Sequence, residues 1–188
     1  MAFDGIVLSR VVEALNKRIA TGRISKIYTI SQNELLMNVR AHNKNQKLLV
    51  SIHPMYARVK LTDLNYPTPD SPNALTMLMR KHMDGAFIAD IEQVGLDRIL
   101  KLTLKGRNDF KDEVTYYAYI EIMGKYSNFI LTYENNKIIV HSVEPFRTMT
   151  GKDYAKYYFA DEKNNTRSVI LIDKKGKYNI GDTVKFTR

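Results

Sequence analysis

Two short segments of the chain carry residue types suited to ligand chemistry. The first is Gly95-Leu96-Asp97-Arg98-Ile99. A carboxylate beside a guanidinium on a tight turn can fix the guanidinium's rotamer. The fork of N–H donors is then aimed at a phosphate or a base edge. The plain alternative is an exposed turn pair worth less than about 1 kcal/mol. The second is Glu121-Ile122-Met123-Gly124-Lys125-Tyr126-Ser127-Asn128. Here a strand ends at a glycine turn bearing a cation, an aromatic ring and two hydrogen-bonding side chains. That mixture suits an RNA backbone and an unstacked base. The plain alternative is a hairpin closed by Gly124-Lys125.

Catalytic patterns are missing. Gly151-Lys152 has Phe146 where a phosphate-binding loop needs its first glycine, and no G-x-G-x-x-G or G-x-S-x-G occurs. His42, His53, His82 and His141 show no metal-ligand spacing, and His53-Pro54 reads as a strand end with the imidazole bonded to backbone. With no cysteine, the chain has no disulfide, thiolate metal site or Cys nucleophile. No metal or cofactor is expected, and the chain reads as a binding protein rather than an enzyme.

Composition points the same way. The 188 residues carry a formal charge of +9, with a pI near 9.6. Such a surplus favours polyanions. It is spread along the chain with no basic tail, so a polyanion site must be a folded surface. Hydrophobic residues at 44% and charged residues at 26% are ordinary for a globular domain. No apolar run approaches the roughly 18 residues that span a bilayer. Met1-Ala2-Phe3-Asp4 lacks the features of a signal peptide, so the expected location is cytoplasmic, with no membrane contact.

The elements that must hold the two segments follow from periodicity. Asp4 reads as a helix N-cap, with Leu8, Val11, Val12, Leu15 and Ile19 at helical spacing behind it. Ile24–Ser31, Leu35–Arg40 and Lys47–Ile52 predict a meander turning at Gln32-Asn33 and at His42-Asn43-Lys44-Asn45. Residues 62–73, with Pro67, Pro69 and Pro72, predict a loop. A second helix spans about Ala74–Met83, with Leu75, Leu78 and Met79 inward. Strands are then expected at Phe87–Val94, Arg98–Lys105, Val114–Met123, Asn128–Tyr133 and Lys137–Val143. Leu100, Leu102 and Leu104 alternate with Lys101, Thr103 and Lys105, as in a half-buried strand. Ser168–Asp173 and Thr183–Phe186 form a possible last hairpin. The fold class is α+β: two helices with largely antiparallel sheets of about eight to ten strands. The two halves meet near residue 70, as two lobes or as one continuous sheet.

The chain resembles the N-terminal domain of the NFACT family. The resemblance rests on Phe3-Asp4-Gly5 with the first helix, Ser51-Ile52-His53-Pro54 with Arg58 and Leu61-Thr62, and Leu78-Met79-Arg80-Lys81-His82. It continues through Ile91–Ile99 and Glu121–Leu131, covering about residues 3–147. It implies a domain over residues 1–147, similar in fold to the N-terminal domain of the formamidopyrimidine-DNA glycosylases. Those enzymes attack through an N-terminal proline, which Met1-Ala2 does not supply. The resemblance also implies a role in ribosome-associated quality control. Family members bind the stalled large ribosomal subunit with its peptidyl-tRNA and recruit tRNA for C-terminal (alanine) tailing of the nascent chain. The family's Asp-Arg pair maps onto Asp97 and Arg98, and its Glu-Ile-Met segment onto Glu121, Ile122 and Met123. Lys125 and Asn128 join the expected tRNA-binding set, with Lys101, Lys105 and Arg107 as phosphate contacts beside the two turns. Bacterial members also carry the label of fibronectin- or fibrinogen-binding proteins, so an adhesin is the alternative. Residues 148–188 depart from the family pattern: Thr148-Met149-Thr150-Gly151 follows Arg147 where a Pro-Gly is usual. They read as a divergent extension with a hairpin.

Overall fold

The computed structural model describes residues 4–31, 33–72, 74–124, 127–134, 138–141, 154–161 and 166–173. Helix α1 spans Gly5–Arg18 and starts where Asp4 caps it, the Asp4 carboxylate accepting the Val7 N–H at 2.8 Å. Leu8, Leu15 and Ile19 form its buried stripe. A meander follows: β1 (Arg23–Ser31), β2 (Glu34–Ala41), β3 (Lys44–Ser51) and β4 (Arg58–Leu61). The β2–β3 turn is two residues, His42 and Asn43, with φ of 50° and 61°. Both stand in the left-handed region that such a hairpin requires, and so Lys44 and Asn45 lie in the strand, not in the turn. The short strand β4, Arg58-Val59-Lys60-Leu61, alternates charged and apolar residues but spans only four positions. Its register against β3 (Leu48↔Leu61, Val50↔Val59) defines it.

Residues 62–72 run without helix or strand, as expected. Helix α2 spans Ala74–Met83. Its buried residues are Thr76, Met79 and Met83; Leu78 is only partly buried, and the Leu75 side chain lies outside the described residues. The chain continues through β5 (Phe87–Gln93), β6 (Ile99–Arg107), β7 (Glu113–Glu121), β8 (Asn128–Tyr133) and β9 (Ile138–His141).

Nine strands form one sheet in the order β4-β3-β2-β1-β5-β6-β7-β8-β9, every pairing antiparallel. The sheet is thus continuous across residue 70. Its seam is narrow: β1 and β5 share one ladder pair, Arg23↔Phe87. Four backbone bonds reinforce it, among them Ile24 N–H to Ala86 O (2.9 Å) and Ile88 N–H to Gly22 O (2.8 Å). Beyond that pair α2 takes over the open edge of β1. Arg80 Nε donates to Ile27 O at 2.7 Å, Asp84 Oδ1 accepts the Ile27 N–H at 3.2 Å, and the Thr76 hydroxyl donates to Thr29 Oγ1 at 2.7 Å. Side chains here replace a missing strand.

The core fills one face of the sheet, with Ile24, Ile27, Met37, Leu48, Ile91, Leu102, Ala118 and Phe129 under the two helices. The opposite face is also buried at Leu36, Leu49, Ile99, Tyr119 and Ile130. Strand β6 is therefore not half-buried throughout: Lys101, expected on a polar face, is closed off.

The hairpin expected from Ser168–Asp173 and Thr183–Phe186 falls partly outside the described residues. Strand β11 (Thr166–Asp173) pairs with β10 (Tyr154–Asp161), in register from Tyr154↔Asp173 to Asp161↔Thr166. Residues 183–186 lie outside the described residues. So eleven strands are described against the eight to ten expected. Strands β4 and β10 are not among the expected ones: β4 is only four residues long, and β10 does not alternate.

The seam yields a test. Burial raises the Asp84 carboxyl above its ordinary range, against the opposing pull of the Ile27 N–H and of Arg80 and Lys26. Asp84→Ala strands a buried N–H and should cost about 1–3 kcal/mol in urea unfolding. Asp84→Asn keeps an acceptor oxygen and should cost much less. Equal losses in the two variants would show that the Ile27 bond is not the cause.

Candidate nucleic-acid interface

The turn after β5 is built by backbone. Val94 N–H bonds Ile99 O at 3.0 Å, Asp97 N–H bonds Val94 O at 3.1 Å, and Gly95 takes a φ of 59°. A glycine meets that angle at no steric cost. The Asp97 carboxylate does not clamp the neighbouring guanidinium: Oδ1 accepts the Arg98 backbone N–H at 2.9 Å. Asp97 is half-buried and Arg98 exposed. No hydrogen bond or ion pair engages the Arg98 guanidinium among the described residues.

Two neighbours fix this turn in place. The Gln93 side-chain amide donates both to Asp97 O at 2.8 Å and to Gly5 O at 2.9 Å. It joins the turn to the start of α1. A Cβ on Gly5 would stand 2.5 Å from Leu96 O, so the close approach needs glycine. The sequence shows no signal for the brace by Gln93, an ordinary polar residue at the end of a strand.

The second segment lies against the first. Ile122 N–H donates to Arg98 O at 2.9 Å. Gly124 turns the chain with a φ of 57°, Ser127 N–H bonds Gly124 O at 3.0 Å, and the Ser127 hydroxyl accepts the Met123 N–H at 2.9 Å. Glu121, Ile122, Met123 and Asn128 are all buried, Glu121 completely. The Asn128 carbonyl accepts the Phe129 N–H at 2.9 Å. These four side chains shape the turn from within and do not offer a contact surface. Lys125 and Tyr126 lie outside the described residues.

The third piece was flagged only in part. After β3, His53 Nδ1 accepts the Met55 N–H at 3.1 Å, which matches the backbone-bonded histidine expected there. Its ring faces that of Tyr56 with centroids 5.1 Å apart. A Cβ on Gly124 would stand 3.5 Å from Pro54 O, so this turn backs onto the second segment. Met55 and Tyr56 are exposed, as are Leu96 (95%) and Ile6 on the α1 side. One end of the sheet therefore carries exposed Arg98 together with exposed apolar residues on the segments that meet there. The available signal was two large apolar residues directly after His53-Pro54.

The expected phosphate contacts do not gather here. Lys101 is buried at 5% exposure, its ammonium 3.9 Å from the Tyr117 ring centroid and 3.7 Å from the Glu92 carboxylate. Burial lowers its pKa, against the opposing charge of Glu92. The tyrosine rings that close over it are the reason it faces no solvent. Lys105 and Arg107 are exposed but sit at the far end of β6. At about 3.3 Å per residue, Lys105 is roughly 23 Å from Arg98. Lys105 pairs with Glu113 at 3.7 Å, and Arg107 Nη1 donates to Lys111 O at 2.9 Å. Among the described residues no group of three acidic or histidine side chains is placed to hold a metal ion. No helix is long and apolar enough to cross a membrane.

The domain is α+β, with two glycine turns that hold Asp97 and Arg98 at one end of a nine-stranded sheet. Residues 4–154 match the family described as NFACT N-terminal and middle domains, and the chain belongs to that family. It is 42% identical over 162 residues to the Rqc2 homolog RqcH of Bacillus subtilis, covering 82% of this chain and 28% of that protein. It is 24% identical over 151 residues to the human ribosome quality control complex subunit NEMF, covering 80% of this chain and 13% of that protein. The crystal structure of the N-terminal domain of fibronectin-binding protein PavA from Streptococcus pneumoniae superimposes with a TM-score of 0.74 at 35% identity. That match covers 81% of this chain and 56% of that one. The chain thus spans under a third of these two curated relatives. It carries the NFACT N-terminal region that these relatives share.

The geometry separates the two residues of the pair. Asp97→Ala removes a backbone cap and should cost about 1 kcal/mol. Arg98→Ala should shift stability by less than about 0.5 kcal/mol. Thermal melts of both variants check this, and comparable destabilisation by Arg98→Ala would place its guanidinium in the scaffold.

Burial also sets an alkaline limb. Desolvation pushes the Tyr119 phenol far above its ordinary value, with Tyr117 and Glu92 adding to it, and raises Tyr116 and Tyr117 as well. In the unfolded chain phenols ionise near pH 10, so above about pH 10 the folded chain holds more protons and stability falls as pH rises. Lys101 acts with opposite sign, adding stability as pH climbs toward about 10.4. Tyr119→Phe should make the decline above pH 10 shallower in urea titrations. An unchanged slope would show that Tyr119 ionises normally in the fold.

Proposed function

We propose that this domain binds tRNA through the sheet end that carries Arg98, as part of a cytoplasmic ribosome quality-control factor on the stalled large subunit. It works by positioning, not by catalysis. The ribosome forms the peptide bond, and the domain helps to hold tRNA for C-terminal alanine tailing. The observation that carries this reading is the Arg98 guanidinium: exposed, with no hydrogen bond or ion pair among the described residues, and mounted on a turn braced by its own backbone bonds, by Gln93 and by Ile122. Exposed Leu96, Ile6, Met55 and Tyr56 around it suit the faces of unpaired bases. The net charge of +9 supplies long-range attraction. Asp97 and the buried Glu121-Ile122-Met123 segment act behind Arg98 by holding the turn.

Loss of one bidentate contact costs about 1–3 kcal/mol, so Arg98→Ala should weaken tRNA binding roughly 5- to 150-fold. Arg98→Lys keeps the charge but loses the fork, and should resemble the alanine variant. Filter binding with purified tRNA measures both. Wild-type affinity in Arg98→Ala, with its fold intact, overturns the assignment. A second reading, fibronectin or fibrinogen binding, draws on the solved relative named for fibronectin and on the same exposed apolar residues. Tight fibronectin binding with no tRNA binding by the same protein would favour it.

A further inference from the structure

The far end of β6 holds a second constellation, distant from Arg98. Register places Arg23, Phe87 and Lys105 in one row across β1, β5 and β6 (Arg23↔Phe87, Phe87↔Lys105). Arg107 lies opposite Glu113 in the next outward-facing row. With His82 from α2 and Gly106 they line an open cleft of about 560 Å³. That volume falls within the roughly 300–1,000 Å³ of small-ligand sites.

The chemistry of the cleft is that of a nucleotide site. The Arg23 guanidinium carbon stands 5.7 Å from the Phe87 ring centroid, and Nη1 is held by Gly85 O at 3.2 Å. This pair makes a flat, positively charged platform for a base. Lys105 and Arg107 stand on the same face two residues apart, which suits one phosphate. Both carboxylates of the cleft already have partners: Asp84 takes the Ile27 N–H, and Glu113 pairs with Lys105. Arg107 spends one donor on Lys111 O and keeps the rest of its fork. Three cations thus meet two acidic groups, one of them paired with Lys105, and the net positive charge that remains favours an anion.

We propose that this cleft binds one unpaired nucleotide of an RNA strand, with the base on Arg23–Phe87 and the 5′-phosphate between Lys105 and Arg107. The inference extends the RNA-binding reading to a separate contact. With Arg98 roughly 23 Å away along β6, one folded RNA can touch both ends of the sheet at once. The recognised group is a nucleoside 5′-phosphate, and the test separates RNA from a free nucleotide.

The 188-residue chain is titrated with adenosine 5′-monophosphate and with a single-stranded RNA hexamer, following backbone amide resonances. Gly85, Phe87 and Gly106 should shift with the hexamer, and more weakly with the mononucleotide. The pair Arg23→Gln and Arg107→Gln should abolish those shifts while leaving the melting curve in place. In tRNA titrations the same variant should lower the slope of log K against log salt by about 0.7–0.9 for each lost phosphate contact. Shifts with the mononucleotide alone overturn the assignment to RNA. No shifts with either probe, together with a wild-type salt slope in the variant, overturn the cleft altogether. Arg98→Ala separates the two sites. If it weakens tRNA while the cleft variant does not, only the cleft fails. If the cleft variant weakens tRNA while Arg98→Ala does not, only the Arg98 site fails.

Discussion

The backbone groups of β1 must be satisfied on both edges, and β5 satisfies only the first of them. After Arg23↔Phe87 the two strands share no further ladder pair, and Arg80 of α2 and Asp84 just after it close around Ile27. This constraint makes the meander and the later strands one frame. It also fixes α2 over the core, where Met79 and Met83 are fully buried. The end of α2 then lies beside Phe87 and Lys105, which opens the basic cleft. Opposite that end, β6 and β7 run in unbroken register from Arg107↔Glu113 to Ile99↔Glu121, so the two turns that hold Arg98 are set by the same sheet.

Hydrogen bonds tie the turns together at the Arg98 end. Gln93 bridges α1 to the turn, Ile122 bridges the turn to the next segment, and Gly124 rests against Pro54. Binding loses less entropy when the recognition group is already placed. The buried Glu121-Ile122-Met123 segment fits this arrangement as support. Its residues determine where the Arg98 carbonyl sits, and so where the guanidinium emerges.

Much of this was legible in residue order. The Asp4 cap, the helical stripe of α1, the alternation of Leu100, Leu102 and Leu104, and the glycines of both turns are local signals. Local signals survive because helix and strand periodicity is written in neighbouring residues. Strands β4 and β10 were not legible: β4 is only four residues long, and the eight residues of β10 do not alternate, so each is defined by its partner. The burial of Lys101 was not legible either. A lysine between leucines reads as a solvent-facing position, and only the Tyr117 ring and the Glu92 carboxylate brought over from neighbouring strands show otherwise.

The sequence by itself determined the class of elements, the family, the positive charge and the placing of Asp97 and Arg98 on one turn. Tertiary structure alone decided which of the charged residues share a surface. Lys101, Lys105 and Arg107 alternate along one strand with Arg98 just before it, and in sequence they look like one basic cluster. An extended strand advances about 3.3 Å per residue. That rise carries Lys105 and Arg107 to the opposite end of the sheet, beside Arg23 from a strand some 80 residues earlier in the chain. The same geometry brings Ile6, Met55, Tyr56 and Leu96 toward Arg98, from segments with no sequence proximity. Strand register and the seam place those side chains, and neither is encoded in the spacing of the residues concerned.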